Sequence, residues 1–175
     1  MNHNKIDKID LKIRELNNSD NLQSLDLTES NKSNPLSVND FFHSSKVQNF
    51  QKNNLASTWV VYYNNTLVGC FSLSMSVIRK NELNDSEIVH EAEYIKTYPA
   101  ILLGQFGVDK KFRSMGIGSH IIQYITGLAL MIGKKIACRY IVLQTDLDHI
   151  SIYNQFNFKS SKKSNQRLIW MYKKL

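Results

Sequence analysis

From Ile9 to Leu16 apolar and polar residues alternate, Ile9, Leu11 and Ile13 against Asp10, Lys12 and Arg14, which predicts a first strand. Asn17 to Asp20 carries turn and cap chemistry and predicts a short helix over 21–27. After the polar stretch 28–34 and Pro35, the near-helical spacing of Val38, Phe41, Phe42 and Phe50 predicts a second helix over 38–52. Residues 58–63 and 66–77 are rich in β-branched and aromatic side chains and flank Asn64-Asn65, so they read as an antiparallel hairpin. Gly69 in its second arm marks a bulge or a close backbone approach. Residues 79–98 are polar and mixed, an irregular flap ahead of Pro99.

An unbroken apolar run, 100–103, leads through Gly104 and Gln105 into Phe106-Gly107-Val108, predicting a buried strand over about 100–108. A basic turn comes next (Lys110, Lys111, Arg113), then Gly116 and Gly118, then a helix from near Ser119. Its apolar stripe is Ile121, Ile122, Ile125, Leu128, Ala129 and Ile132, and Gly133-Lys134-Lys135 is its stop. Residues 140–143 read as a short buried strand. Asp146-Leu147-Asp148 caps a short helix carrying Ile150 and Tyr153. Residues 156–158 and 168–172 read as closing strands around a Lys/Ser-rich turn.

At 175 residues, 42% of them hydrophobic, the chain has material for one folded domain over 9–175, behind a flexible tail over 1–8. No apolar run reaches the eighteen or so residues of a membrane span, and the polar start lacks a signal-peptide core. Cys70 and Cys138 sit in apolar surroundings and read as buried free thiols, so the expected location is the cytoplasm. The five histidines show no ligand spacing with cysteines or carboxylates, and no metal site is expected. The net charge of +7 is uneven. Residues 1–100 carry ten Lys and Arg against twelve Asp and Glu, net −2, whereas residues 101–175 carry twelve against three, net +9. The basic half therefore holds the glycine turn, which suits an anionic cofactor and an anionic substrate such as nucleic acid.

A buried strand feeding a glycine-bearing turn at a helix start aims unpaired backbone N–H groups at one point, where the helix dipole adds partial positive charge. Such an element is a phosphate cradle. No Lys-Ser or Lys-Thr succeeds the second glycine, which disfavours a Walker-type nucleotide loop, and the third glycine of a dinucleotide fingerprint is missing. Arg113-Ser114-Met115-Gly116-Ile117-Gly118 instead resembles the R/Q-x-x-G-x-G/A turn of the GNAT acetyltransferases. Residues 152–158, Ile-Tyr-Asn-Gln-Phe-Asn-Phe, resemble the family's late motif, a helical Tyr followed by Gly-Phe. Here Asn157 replaces the glycine, and asparagine tolerates a left-handed backbone.

The resemblance covers about residues 9–175 and implies the GNAT fold. That is an α/β (α+β) architecture with a central mixed, mostly antiparallel twisted sheet, splayed in the middle and flanked by helices. It implies an acetyl-CoA-dependent N-acetyltransferase acting on a primary amine by direct attack. Acetyl-CoA would be held by main-chain groups of Phe106, Gly107 and Val108, and its pyrophosphate by Arg113, Ser114, Met115, Gly116, Ile117, Gly118 and Ser119. Tyr153 would serve the leaving sulfur. A phenol of pKa about 10 and a thiol of about 8.5 make full proton transfer roughly 2 kcal/mol uphill, so hydrogen-bond donation is the expected role. The backbone N–H of Val108 is the expected oxyanion donor. No general base is legible: His90, Glu91 and Glu93 lie in the flap, and none carries a catalytic assignment.

Residues 58–61, 67–73 and 99–109 also look like the branch holding the toxin acetyltransferases of toxin–antitoxin pairs, which acetylate aminoacyl-tRNA. That branch implies charged tRNA as acceptor, an antitoxin protein as partner and a homodimer. A protein amine or a small amine stays open as acceptor. A non-catalytic CoA- or nucleic-acid-binding regulatory module is the alternative from a different class.

Overall fold

The computed structural model describes residues 10–29, 36–92, 94–164 and 168–175. The tail over 1–8, the strand start at Ile9, the polar stretch from Ser30 to Pro35, Glu93 and the turn tip at 165–167 lie outside the described residues. Seven strands form one sheet: β1 (Leu11–Glu15), β2 (Ser57–Tyr63), β3 (Thr66–Arg79), β4 (Thr97–Val108), β5 (Tyr140–Thr145), β6 (Lys159–Ser164) and β7 (Ile169–Lys174). Their order is β1-β2-β3-β4-β5-β7-β6. β1–β2, β2–β3, β5–β7 and β6–β7 pair antiparallel, and β4–β5 pairs parallel, giving the mixed sheet expected. The helices are α1 (Val38–Phe42), α2 (Lys46–Lys52), α3 (Ile117–Lys135) and α4 (Ile150–Asn154). No helix among the described residues is long and apolar enough to cross a membrane.

Contacts divide the chain into two units, Met1–Ser74 with Gly104–Gln123, and Met75–Leu103 with Tyr124–Leu175. In the first, Leu22, Leu25, Leu27, Phe42, Val47, Val60 and Cys70 form a buried cluster. Asn64 and Asn65, at φ 46° and 61°, close the β2–β3 hairpin, as a tight turn with two left-handed residues requires. The register slips between Val61 and Tyr62, beside Gly69. A Cβ at Gly69 would stand 2.9 Å from the Gly107 carbonyl oxygen, so both parts of the expectation for this glycine hold. Burial of the Asp20 side chain is matched by four donors. Arg14 reaches it with two nitrogens at 2.7 and 2.6 Å, the Tyr62 hydroxyl donates at 2.7 Å, and the Asn17 N–H donates at 2.8 Å. Chiefly through the Arg14 hydrogen bonds, its pKa falls to about 2.

The second unit is built on Ile78, Leu83, Tyr98, Ala100, Tyr140, Val142 and Tyr172. Tyr140 stands edge-on to both Tyr98 and Tyr172. The expected flap is three single 3-10 turns, Lys80–Glu82, Asp85–Glu87 and His90–Ala92. Phenols pin it: the Asn84 and Val89 N–H groups donate to the hydroxyls of Tyr172 and Tyr98, and the Tyr140 hydroxyl donates to the Glu87 carbonyl. Buried Glu87 is held by Lys159 at 2.5 Å and Lys174 at 3.6 Å, and the Lys159 bond lowers its pKa.

Several sequence expectations are corrected. The helix over 21–27 is only a 3-10 turn at Leu22–Ser24, capped by Asn21. The helix over 38–52 is broken into α1 and α2 by His43 to Ser45. Residues 156–158 are not a strand. The C-terminal end of α4 turns there, and the strand comes after it as β6, whose KSSKKS sequence has no apolar alternation to announce it. Cys138 is only half-buried, unlike Cys70.

Candidate functional site

In the first unit β4 delivers Phe106, Gly107 and Val108, all half-buried, to the start of the turn. Asp109 organises the turn itself. It is 5% exposed, its N–H donates to the Val68 carbonyl at 2.9 Å, and its carboxylate accepts from the N–H groups of Lys111 at 2.9 Å and Asp26 at 2.8 Å. The Lys110 N–H closes a further bond to the Asp26 carbonyl at 2.8 Å. Sequence reasoning misses Asp109. The available signal is a capping residue type between a strand and a helical turn.

Arg113 folds back, its Nε donating to the Val108 carbonyl at 3.1 Å while one terminal nitrogen meets Glu29 at 3.3 Å. Part of its donor fork is therefore structural, and the guanidinium carries five N–H groups in all. Ser114 (φ 63°) and Gly116 (φ 87°) reverse the chain in the left-handed region. A Cβ at Gly116 would meet nothing within 4 Å, so conformation, not crowding, requires the glycine there, and the space beside it is open. At Gly118 a Cβ would touch Phe106 at 3.5 Å, an ordinary contact that leaves room for alanine.

α3 begins at Ile117, two residues ahead of the expected start. The N–H groups of Ile117, Gly118 and Ser119 have no carbonyl a turn earlier within the helix. Ile117 itself is 1% exposed and packs into the core, whereas Gly118 is half-buried and Ser119 exposed. Lys110 and Lys111 are exposed. The sequence-predicted residues, Phe106 to Val108 and Arg113 to Ser119, thus lie along one strand end, turn and helix start. Unpaired N–H groups, positive dipole and open backbone fit an anionic diphosphate.

In the second unit the parallel β4–β5 register runs from Ala100–Tyr140 to Leu103–Leu143 and goes no further. Beyond β5, the Asp146 carboxylate accepts from both the backbone N–H and Nδ1 of His149, at 3.1 and 2.6 Å, starting the turn that becomes α4. Tyr153 sits in α4, its ring edge-on to Phe158 at 5.8 Å. Its carbonyl caps the helix by accepting from Phe156 and Phe158. Asn157, at φ 63°, makes the reversal that a glycine would make. Among the described residues the Tyr153 hydroxyl has no hydrogen-bond partner. Burial first, and then the Asp146 charge, push its pKa well above the usual phenol value. It stays protonated at neutral pH as a donor, and proton transfer from it costs more than the sequence-based figure of roughly 2 kcal/mol.

No curated protein sequence matches the chain. Among solved structures its fold is similar to that of AtaT complexed with acetyl-methionyl-tRNAfMet, at TM-score 0.75 and 15% identity over 92% of this chain and 94% of that one. It is also similar to a tyrosine-to-phenylalanine mutant of KacT, at TM-score 0.77 and 15% identity over 92% and 94%. A third neighbour is described as a bacterial toxin, with TM-score 0.78 and 12% identity over 94% and 90%. Identities this low bear on fold alone. A family model, described as the acetyltransferase (GNAT) family, matches residues 20–158, taking in the β4 strand, the glycine turn, α3 and Tyr153. With most of its length matched, this chain belongs to the GNAT acetyltransferase family and is an acetyl-CoA-dependent N-acetyltransferase.

Proposed function

We propose that the acceptor is the amino group of an aminoacyl-tRNA, acetylated by direct attack of the neutral amine. The observation that carries this reading is the likeness over 92% of the chain to AtaT complexed with acetyl-methionyl-tRNAfMet. An aminoacyl ester amine is less basic than a lysine and is substantially neutral near pH 7, so it needs no strong base, and none is legible in the sequence.

Acetyl-CoA supplies the acetyl group as a thioester. On our reading the N–H groups at the start of α3 and the open face of Gly116 receive its pyrophosphate, with the donors of Arg113 not spent on Val108 and Glu29. Main-chain groups of Phe106 to Val108 hold the pantetheine arm, and the Val108 N–H stabilises charge on the carbonyl oxygen. Tyr153, held neutral, donates a hydrogen bond toward the departing sulfur. A tyrosine-to-phenylalanine substitution also marks the KacT structure and one of AtaT bound to the C-terminus of the antitoxin AtaR. An antitoxin partner and a cytoplasmic location, where charged tRNA is found, belong to the same proposal.

The basic residues available to RNA are fewer than the sequence count. Lys159 and Lys174 serve Glu87, Lys162 is paired with Asp85 at 2.8 Å, and Arg139 lies over the rings of Tyr98 and Tyr140. Lys134 and Lys135, exposed in the last turn of α3, are the first candidates for phosphate contacts. The test is labelled acetyl-CoA with charged and with deacylated tRNA. Label on charged tRNA alone, at a rate falling with salt, is expected. Labelled peptide or small amine with unlabelled charged tRNA overturns the acceptor while leaving the enzyme class intact.

A further inference from the structure

A neutral amine needs no base to attack a thioester, but attack leaves its nitrogen positively charged, and the amide forms only once that nitrogen sheds a proton. Near neutral pH imidazole is the side chain best suited to take it. The other titratable groups of the second unit are committed or remote from α4. Glu87 is held by Lys159 and Lys174, Asp85 by Lys162, and a Glu82 oxygen accepts from the Arg79 N–H at 3.4 Å. His90 and Glu91 are exposed in the last turn of the flap. His149 differs from all of these.

It ends the 3-10 turn Leu147–His149 with a backbone that is already right-handed, so α4 runs on from it. Asp146 holds it twice. The backbone N–H bond at 3.1 Å is all that a cap requires, and the Nδ1 bond at 2.6 Å fixes the ring in addition. A carboxylate only accepts, so Nδ1 carries the proton and Nε2 of the neutral ring keeps its lone pair. Nε2 has no hydrogen-bond partner among the described residues, and the side chain is 37% exposed, open to a ligand. His149 and Tyr153 are four residues apart, which places their side chains on one helix face, about 5–6 Å apart at Cβ. The Asp146 charge is felt at the Tyr153 hydroxyl, so the Asp146–His149 pair and the phenol share one neighbourhood.

We propose that His149 is the catalytic residue that takes the proton from the attacking amine, with Asp146 as its positioning residue. As the nitrogen–carbon bond forms, an N–H proton passes to Nε2, and Asp146 beside Nδ1 balances the charge of the imidazolium. The carbon–sulfur bond breaks, the Tyr153 hydroxyl donates a hydrogen bond to the thiolate, and the imidazolium proton then passes to sulfur. The products are the amide and the free thiol of CoA, with His149 neutral again. An imidazolium is by nature a stronger acid than a thiol, so this last transfer runs downhill. Any amine acceptor needs the step, so the inference does not depend on tRNA; it rests on Tyr153 serving the leaving sulfur.

Turnover is measured with whichever of charged tRNA, peptide or small amine takes label in the assay above. His149→Ala should lower kcat on the order of 10²-fold, leave KM for acetyl-CoA and its thermal shift unchanged, and regain part of the rate from added free imidazole. Tyr153→Phe should be slow without responding to imidazole. Long-range proton–nitrogen NMR correlation of the wild-type chain at alkaline pH should show the Nδ1–H tautomer at His149, and Asp146→Asn, whose amide donates, should move it toward Nε2–H. Wild-type kcat in His149→Ala overturns the proposal, and a slow Tyr153→Phe in the same assay then leaves the reading of Tyr153 standing. Wild-type kcat in Tyr153→Phe, with imidazole restoring His149→Ala, removes Tyr153 from the sulfur and leaves His149 as the proton acceptor. A slow His149→Ala that imidazole does not restore makes the ring a structural contact and overturns the proposal. So does an Nε2–H tautomer in the wild-type chain.

Discussion

An alanine at position 116 would have to hold φ at 87°, a conformation that costs an L-residue roughly 1–2 kcal/mol relative to glycine. No steric cost adds to this, because the new Cβ would meet nothing within 4 Å. For a chain of this size each kcal/mol shifts the melting temperature by about 2–4 °C, so Gly116→Ala should melt roughly 2–8 °C below wild type without ligand. Gly118→Ala is the internal control. Its Cβ makes an ordinary contact with Phe106 at 3.5 Å, and alanine in place of glycine within a helix gains about 0.5–1 kcal/mol, so its melting temperature should hold or rise. Acetyl-CoA separates conformation from binding. At a hundredfold excess over Kd it should stabilise wild type by about 2.7 kcal/mol through mass action. A methyl group in the open space beside Gly116 would stand where the pyrophosphate approaches, so the ligand-induced shift should shrink in Gly116→Ala and persist in Gly118→Ala. Differential scanning fluorimetry of the three proteins, with and without acetyl-CoA, reads both quantities. An unliganded Gly116→Ala protein that melts with wild type would refute the conformational argument. A full acetyl-CoA shift in that variant would refute the assignment of the turn.

Tyr153→Phe should retain the acetyl-CoA shift and lower turnover by on the order of 10²-fold, and wild-type turnover would return the ring to a packing role against Phe158. Because burial and Asp146 raise the Tyr153 pKa, the rate should show no alkaline fall from this phenol as pH rises toward 10; such a fall present in wild type and absent in Tyr153→Phe would contradict the assignment. Asp20 governs an acid limb of stability. Its pKa of about 2 lies below the ordinary carboxylate value of about 3.9, so its contribution is complete above about pH 4 and is lost as pH falls toward 2. The shift of nearly two pKa units corresponds to about 2–3 kcal/mol at most, reduced by screening because Arg14 is 43% exposed. Asp20→Asn should melt lower at neutral pH and respond less to pH between 4 and 2, and parallel melting curves for the two proteins over that window would remove Asp20 from the account.

What the sequence determined by itself was whatever depends on residues close together in the chain. Alternation located β1, the Asn64-Asn65 pair located the hairpin, and the strand, turn and helix from β4 into α3 could be read directly from apolar run, paired glycines and stripe. Gly116 and Asn157 were legible because a left-handed backbone restricts residue type at a single position. The short KSSKKS strand was missed because its sequence carries no burial pattern. It exists because Lys159 and Ser160 have Tyr172 and Met171 to pair with, and neighbouring strands supply what propensity does not. The segment 38–52 kept its helical spacing but broke at His43 to Ser45, since a stripe of buried side chains does not require one continuous helix. Long-range polar contacts were also outside the reach of pattern. Asp109 bonds the backbone of Asp26, and Glu87 gathers Lys159 and Lys174, across separations that no local rule encodes. This last pairing changes the reading of charge most. Acids counted in the −2 half, Asp85 and Glu87, sit on lysines counted in the +9 half, so only the folded chain decides which cations remain for a phosphate.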